Sequence, residues 1–227
     1  MRTMCILVIL STLFLFTNLT AVSVASPISV PGLFDTGVDN QGVRLPDGSL
    51  EQHYSLTDVL GVLSTAYVFH ESLPDPPDIK GFWVNPAADA MWIGPYGGTW
   101  NAPVGDYVYT LTFDLSGFNL ATMVISGQWS SDNDSEIYLN GVYTGTGYNT
   151  ESNGGVGAFT SVHPFSIDSG FLPTINTLEF HVNNVYCPTL YNPTGLLVQN
   201  LQATPEPCTL LLLELGALGL LRNRRFR

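Results

Sequence analysis

Basic residues are almost missing from this chain. Of its 227 residues only seven are Lys or Arg, against 19 Asp or Glu. Five of the seven crowd the ends, at Arg2, Arg222, Arg224, Arg225 and Arg227. Between residues 26 and 204 only Arg44 and Lys80 face 17 carboxylates, a formal charge of −15. A surface so acidic repels phosphate backbones, which argues against nucleic acid as a partner. Cations, neutral sugars and basic surfaces stay compatible with it.

Cysteine is nearly as scarce. Cys5 lies in the leading apolar stretch, Cys208 in the trailing one, and Cys187 stands alone between them. No disulfide framework can be built from these three, so the fold must rest on a hydrophobic core. About 180 residues suffice, since a chain of that size buries roughly 70% of its unfolded surface. Catalytic signatures are missing too. There is no Gly-x-Ser-x-Gly, no phosphate-binding glycine loop and no His-Glu-x-x-His. His53, His70, His163 and His181 share no metal-ligand spacing, and His181 falls on the polar face of an alternating run. Cys187 has no basic neighbour in sequence to activate its thiol. With 17 carboxylates some pair always suits glycoside hydrolysis, so pairing alone identifies none. These absences point to a protein that is not an enzyme.

From about residue 51 to residue 203 no long stretch has helical periodicity. Strict alternation replaces it: over residues 107–115 the odd positions are Tyr107, Tyr109, Leu111, Phe113 and Leu115, and the even ones are mostly polar. Period two is a strand with one buried face. Met123, Ile125 and Trp129 repeat the device, as do Ile137 with Leu139, and Leu178, Phe180 and Val182. Shorter strands are predicted over 163–168 and 196–202. Clusters of Gly, Asn, Asp and Pro (GPYGG, DNDS, LNG, YNPTG) punctuate them. This grammar predicts an all-β antiparallel sandwich or barrel over residues 26–204. Within it Asn140-Gly141 supplies the positive φ angles of a tight hairpin, and the Asp-Asn pair at 132–133 suits a turn. The proline-rich SLPDPPD, residues 72–78, reads as a loop.

Two groups of side chains are candidate ligand sites. Trp83, Trp92, Tyr96 and Trp100 fall within eighteen positions. Trp92, in an apolar run, reads as core, whereas Tyr96 and Trp100 flank a glycine-rich loop and can stack on sugar faces. Asp132, Asp134 and Glu136 alternate, so continued strand geometry projects them together as oxygen ligands for Ca²⁺. An ordinary turn explains the same residues. No other cofactor is implied.

The ends carry addresses. Arg2 precedes an apolar run from Ile6 to Phe16, and Ser23-Val24-Ala25 is a small-x-small cleavage pattern. The expectation is a signal peptide over 1–25, cut after Ala25 by signal peptidase. A mostly apolar run of eleven residues is too short to span a bilayer. At the other end Pro205-Glu206-Pro207 is followed by an apolar run over 208–221 and a basic end over 222–227, with Arg222, Arg224 and Arg225. The prolines break regular structure and leave an extended segment. The arginines favour the cytoplasmic side.

Two resemblances add to this reading. ISGQWSSDNDSEIYLNGVYTG, with the later HPFSI, NTLEFHVNN and NPTGLLVQNLQA, resembles jelly-roll domains of the galactose-binding-like type over about residues 125–203. The tail from Pro205 onward resembles the PEP-CTERM sorting signal. That second resemblance implies a single hydrophobic helix over 208–221 that anchors the protein transiently in the inner membrane. It also implies an exosortase that processes the chain near Pro-Glu-Pro, and delivery to the cell envelope, surface or medium of a bacterium that makes exopolysaccharide. The combined expectation is an exported non-catalytic β-sandwich that binds polysaccharide. The competing expectations are a secreted carbohydrate-active enzyme and a purely structural or adhesive surface protein.

Overall fold

The computed structural model describes residues 26–69, 82–95, 102–186 and 192–205. The alternating run at 107–115 becomes β5 (Gly105–Asp114), with Tyr107, Tyr109, Leu111 and Phe113 all buried. In chain order the other strands are β1 (Tyr54–Thr57), β2 (Leu63–Ser64), β3 (Tyr67–Phe69), β4 (Trp92–Gly94), β6 (Met123–Asp132) and β7 (Asp134–Leu139). They continue with β8 (Val142–Tyr148), β9 (His163–Ile167), β10 (Ile175–Asn184) and β11 (Gly195–Pro205). Helical structure among the described residues is confined to two short 3-10 turns, Leu120–Thr122 and Ala158–Thr160.

These strands form two antiparallel sheets. One has the order β2-β1-β5-β10-β7-β8 and the other β3-β4-β11-β6-β9. Both inner faces feed a single core. Tyr109, Leu111, Ile137, Leu178, Phe180 and Val182 come from the first sheet, and Ile93, Met123, Ile125, Trp129, Phe165 and Val198 from the second. Phe180 meets Phe165 edge-on across the gap, with ring centroids 6.0 Å apart and planes at 78°. The architecture is a β-sandwich, one of the two that the alternation allowed.

A second apolar layer covers the outer face of the five-stranded sheet. Trp83, Trp92, Phe69, Ala90 and Leu197 are buried there, with Phe159 against them. The indole rings of Trp83 and Trp92 lie 4.3 Å apart. Trp92 is thus core, as its apolar setting indicates. Tyr96 and Trp100 lie outside the described residues, as do Ala25, Glu206, Pro207, Arg222, Arg224, Arg225 and the expected helix over 208–221. Pro205 closes β11. Among the described residues no helix is long and apolar enough to cross a membrane.

The hairpin at 140–141 forms as the turn chemistry predicts. Asn140 has φ 52° and Gly141 φ 76°, joining β7 to β8. The DNDS segment differs from a simple turn. Asp132 ends β6 in one sheet and Asp134 begins β7 in the other, so Asn133 alone carries the chain across the sandwich.

A buried hydroxyl joins strands where the ladder is sparse. β4 and β11 share the single register pair Ile93–Leu196. Thr36, fully buried, donates its Oγ1–H to the carbonyl of Met91 at 2.7 Å and accepts the amide of Val198 at 3.0 Å. Its own amide and carbonyl bond Val198 and Met91 as well. Thr36→Val keeps the shape and strands two buried backbone groups. The expected loss is about 2 kcal/mol, read as a lower urea midpoint at unchanged slope. A loss near zero shows that these groups find other partners.

Candidate functional site

Strand parity puts the residues between the core positions of β10 on the outer face of the six-stranded sheet. Leu178, Phe180 and Val182 point inward, so Thr177, Glu179, His181 and Asn183 point out. The same parity on β7 turns Asp134, Glu136 and Tyr138 outward. Register then brings them together: Glu136 lies opposite His181, and Tyr138 opposite Glu179 on one side and Tyr143 of β8 on the other.

The result is a row of rings at the surface. Tyr138 stacks on His181 at 4.2 Å between centroids with planes 25° apart, and meets Tyr143 at 5.4 Å. Carboxylates flank the row. Glu179 Oε2 lies 3.1 Å from His181 Nε2, and Glu136 Oε2 accepts the Tyr138 hydroxyl at 2.7 Å. That hydrogen bond holds the Tyr138 phenol above its usual range, so it stays a neutral donor. Tyr143 is 46% exposed, whereas an aromatic ring in a sandwich ordinarily faces the core. Tyr138 and Tyr143 escaped the sequence reading. A signal existed: Tyr138 shares the parity of Glu136, opposite to Ile137 and Leu139.

Tyr143 also lines a groove of about 490 Å³ between β8 and β9. Each of these strands is the last of its sheet on that side. Leu139 and Ile167 are apolar lining residues, and Thr144, Ser166, Asp168 and Ser169 supply polar groups.

The three acidic residues considered for calcium are divided by the crossing at Asn133. Asp134 faces the outside of the six-stranded sheet and accepts Asn149 Nδ2 and the amide of Thr150, both at 2.9 Å. Glu136 bonds Tyr138. Asp132 lies instead on β6 with the parity of Ser130, away from the core residue Trp129, and is 4% exposed. Its carboxylate accepts Asn133 Nδ2 and the Trp83 side chain. Desolvation pushes its pKa from the usual 3.8 up to about 8. Strand geometry does not continue through residue 133, so these three do not project together. Among the described residues no group of three His, Cys, Asp or Glu gathers as a metal site.

No protein-family model matches the chain, and no curated protein does. Among solved structures it is similar to a beta-glucosidase from Kluyveromyces marxianus in complex with glucose, at 9% identity and TM-score 0.31 over 82% of this chain and 19% of that one. The selenomethionine-labelled form of that enzyme matches at 11% and 0.35, over 81% of this chain and 21% of that one. A GH31 alpha-xylosidase from Xanthomonas citri matches at 12% and 0.22, over 80% and 19%. The chain spans about a fifth of the length of these solved chains. Likenesses this slight carry no argument about function.

Proposed function

We propose that this chain is an exported, exosortase-sorted protein of the cell envelope or extracellular matrix, whose sandwich is of the galactose-binding-like jelly-roll type and binds exopolysaccharide without cleaving it. The observation that carries the binding reading is the row Tyr143–Tyr138–His181 on the outer face of the six-stranded sheet. Ring faces stack on the apolar faces of sugar rings. Glu136 and Glu179 beside them accept hydrogen bonds from sugar hydroxyls. The strands beneath hold the rings in place, which limits the entropy lost on binding. The export and sorting reading is supported by the order of signal peptide, Pro-Glu-Pro, apolar run and arginines.

Affinity electrophoresis of the purified chain through polysaccharide gels tests the binding, with reducing ends assayed in parallel. Retardation without release of reducing ends is expected. Tyr138→Ala should weaken it roughly tenfold, the equivalent of about 1.4 kcal/mol. Release of reducing ends makes the protein a carbohydrate-active enzyme, and neither retardation nor release leaves a structural or adhesive role. Sorting is tested by intact mass in hosts with and without an exosortase. Loss of the segment beyond Pro-Glu-Pro is expected only where the exosortase is present.

A further inference from the structure

We infer that the groove between β8 and β9 is a second subsite for the same glycan, holding the part of the chain that runs past Tyr143, and that this glycan is uncharged. The inference rests on the polysaccharide reading above and deepens it.

Continuity is the first argument. Tyr143 packs against Tyr138 in the surface row and is also a wall of the groove. A glycan laid along His181, Tyr138 and Tyr143 therefore reaches the groove without leaving an aromatic surface. Its volume of about 490 Å³ falls within the range of sites that take small ligands.

The groove is also built in advance. Asn140 Nδ2 donates to the Gly170 carbonyl at 3.1 Å and to Asn176 Oδ1 at 2.9 Å, while its Oδ1 accepts the Thr177 amide at 2.9 Å. Asn176, 1% exposed, in turn bonds the backbone of Leu172 and Thr174. This network ties the loop that carries Gly170 and Leu172 to the β7–β8 hairpin, so both walls are set before a ligand arrives. The half-exposed Leu172 and the Tyr143 ring offer apolar surface. Ser166, Ser169 and Asp168 offer hydroxyl and carboxylate oxygens, with Ser169 already donating to Asp168 at 3.1 Å. Because β9 pairs among the described residues only with β6, it also turns backbone polar groups toward this side. Apolar walls with a few convergent oxygens suit a ring that has an apolar face and hydroxyl edges.

Charge decides the class. Asp168 lies in the groove, and Glu136, Glu179, Asp134 and Asp106 lie on the adjoining face. The only Lys or Arg among the described residues is Arg44, whose guanidinium donates to the carbonyls of Pro86 and Ala87. A uronate or sulfated chain would meet these carboxylates along its length, with no Lys or Arg among the described residues of this surface to offset them.

The test is calorimetric titration of the full chain with cello-, laminari- and manno-oligosaccharides of two to six units, beside a hexamer of galacturonate. Wild type should bind at least one neutral series with affinity that rises with length, and the uronate hexamer at least tenfold more weakly. Leu172→Trp, which fills the groove from an exposed position, should flatten the length dependence and weaken the hexamer roughly tenfold, with the disaccharide little changed. Asp168→Asn should weaken the hexamer several-fold. If both variants bind the hexamer as wild type does while Tyr138→Ala loses it, the groove is not a subsite and the surface row stands alone. Uronate binding as tight as neutral binding overturns the charge assignment. Failure of wild type to bind any oligosaccharide sinks the sugar reading, and the groove with it.

Discussion

Phe180→Ala is expected to remove about 3–5 kcal/mol of stability, the largest effect of any single side-chain truncation considered for this fold. Phe180 is fully buried on β10, the strand between β5 and β7. Its ring meets Phe165 of the opposite sheet at 6.0 Å and Tyr54 of β1 at 6.4 Å. Truncation removes buried apolar area and also leaves a void between the sheets. Neither sheet can close that void without breaking its own ladder. Against a total stability of about 5–15 kcal/mol, the loss takes a large share, and the thermal midpoint should fall by roughly 10 °C or more. Phe180→Leu keeps most of the volume and should cost about 1–1.5 kcal/mol. Guanidinium titrations of the three proteins check the order. A loss below about 1.5 kcal/mol for the alanine variant would mean that the sheets do not share a core at this point.

The stability of the protein should fall as pH rises from about 4 to about 8, and Asp132 should be the main cause. Burial pushes its carboxyl from the usual 3.8 up to about 8, although the Trp83 side chain that donates to it pulls the other way. A folded pKa above the unfolded one means that the native state holds a proton the unfolded state has released. The associated stability is present in full below the unfolded value and is lost as pH rises through the folded one. Asp35 acts in the same direction, pushed up to about 6 by burial although it accepts the amides of Leu201 and Asn200. Glu51 is raised as well, again by burial. His163 opposes them: burial lowers its pKa, which favours the native state as pH rises through the usual 6.5. At about 1.4 kcal/mol per pKa unit, Asp132 outweighs the histidine, and the change amounts to several kcal/mol. The wild-type midpoint should therefore drop by roughly 10 °C between pH 5 and pH 9. Asp132→Asn keeps an acceptor for Asn133 and cannot ionise, so its slope over that interval should be much flatter. Parallel curves for the two proteins would place a charged carboxylate at Asp132 at neutral pH.

How far the sequence reached can be judged residue by residue. Alternation at 107–115, 123–129, 137–139 and 178–182 put those side chains in the core, and each is buried. This was legible because the pleat imposes a period of two wherever one face is buried. β8 gave no such signal: none of its seven residues is buried, so no apolar beat marks VYTGTGY as a strand. Asn140-Gly141 announced its hairpin because few residues adopt positive φ without strain.

The candidate sites were less legible, and the reason is spatial. Asp132, Asp134 and Glu136 are evenly spaced in sequence, yet the crossing at Asn133 sends the first to the outside of one sheet and the others to the outside of the other. His181 was assigned correctly to a polar face, but nothing local says that Tyr138 will lie against it. That contact depends on the register of β10 against β7, and the groove depends on which strands end the two sheets. The sequence by itself determined the alternating strands, the buried face of each and the acidity of the surface, because pleat, turn and charge are properties of neighbours along the chain. Which outward residues meet was decided only in the tertiary structure, because strand pairing joins positions about forty residues apart through backbone hydrogen bonds that do not depend on side-chain identity.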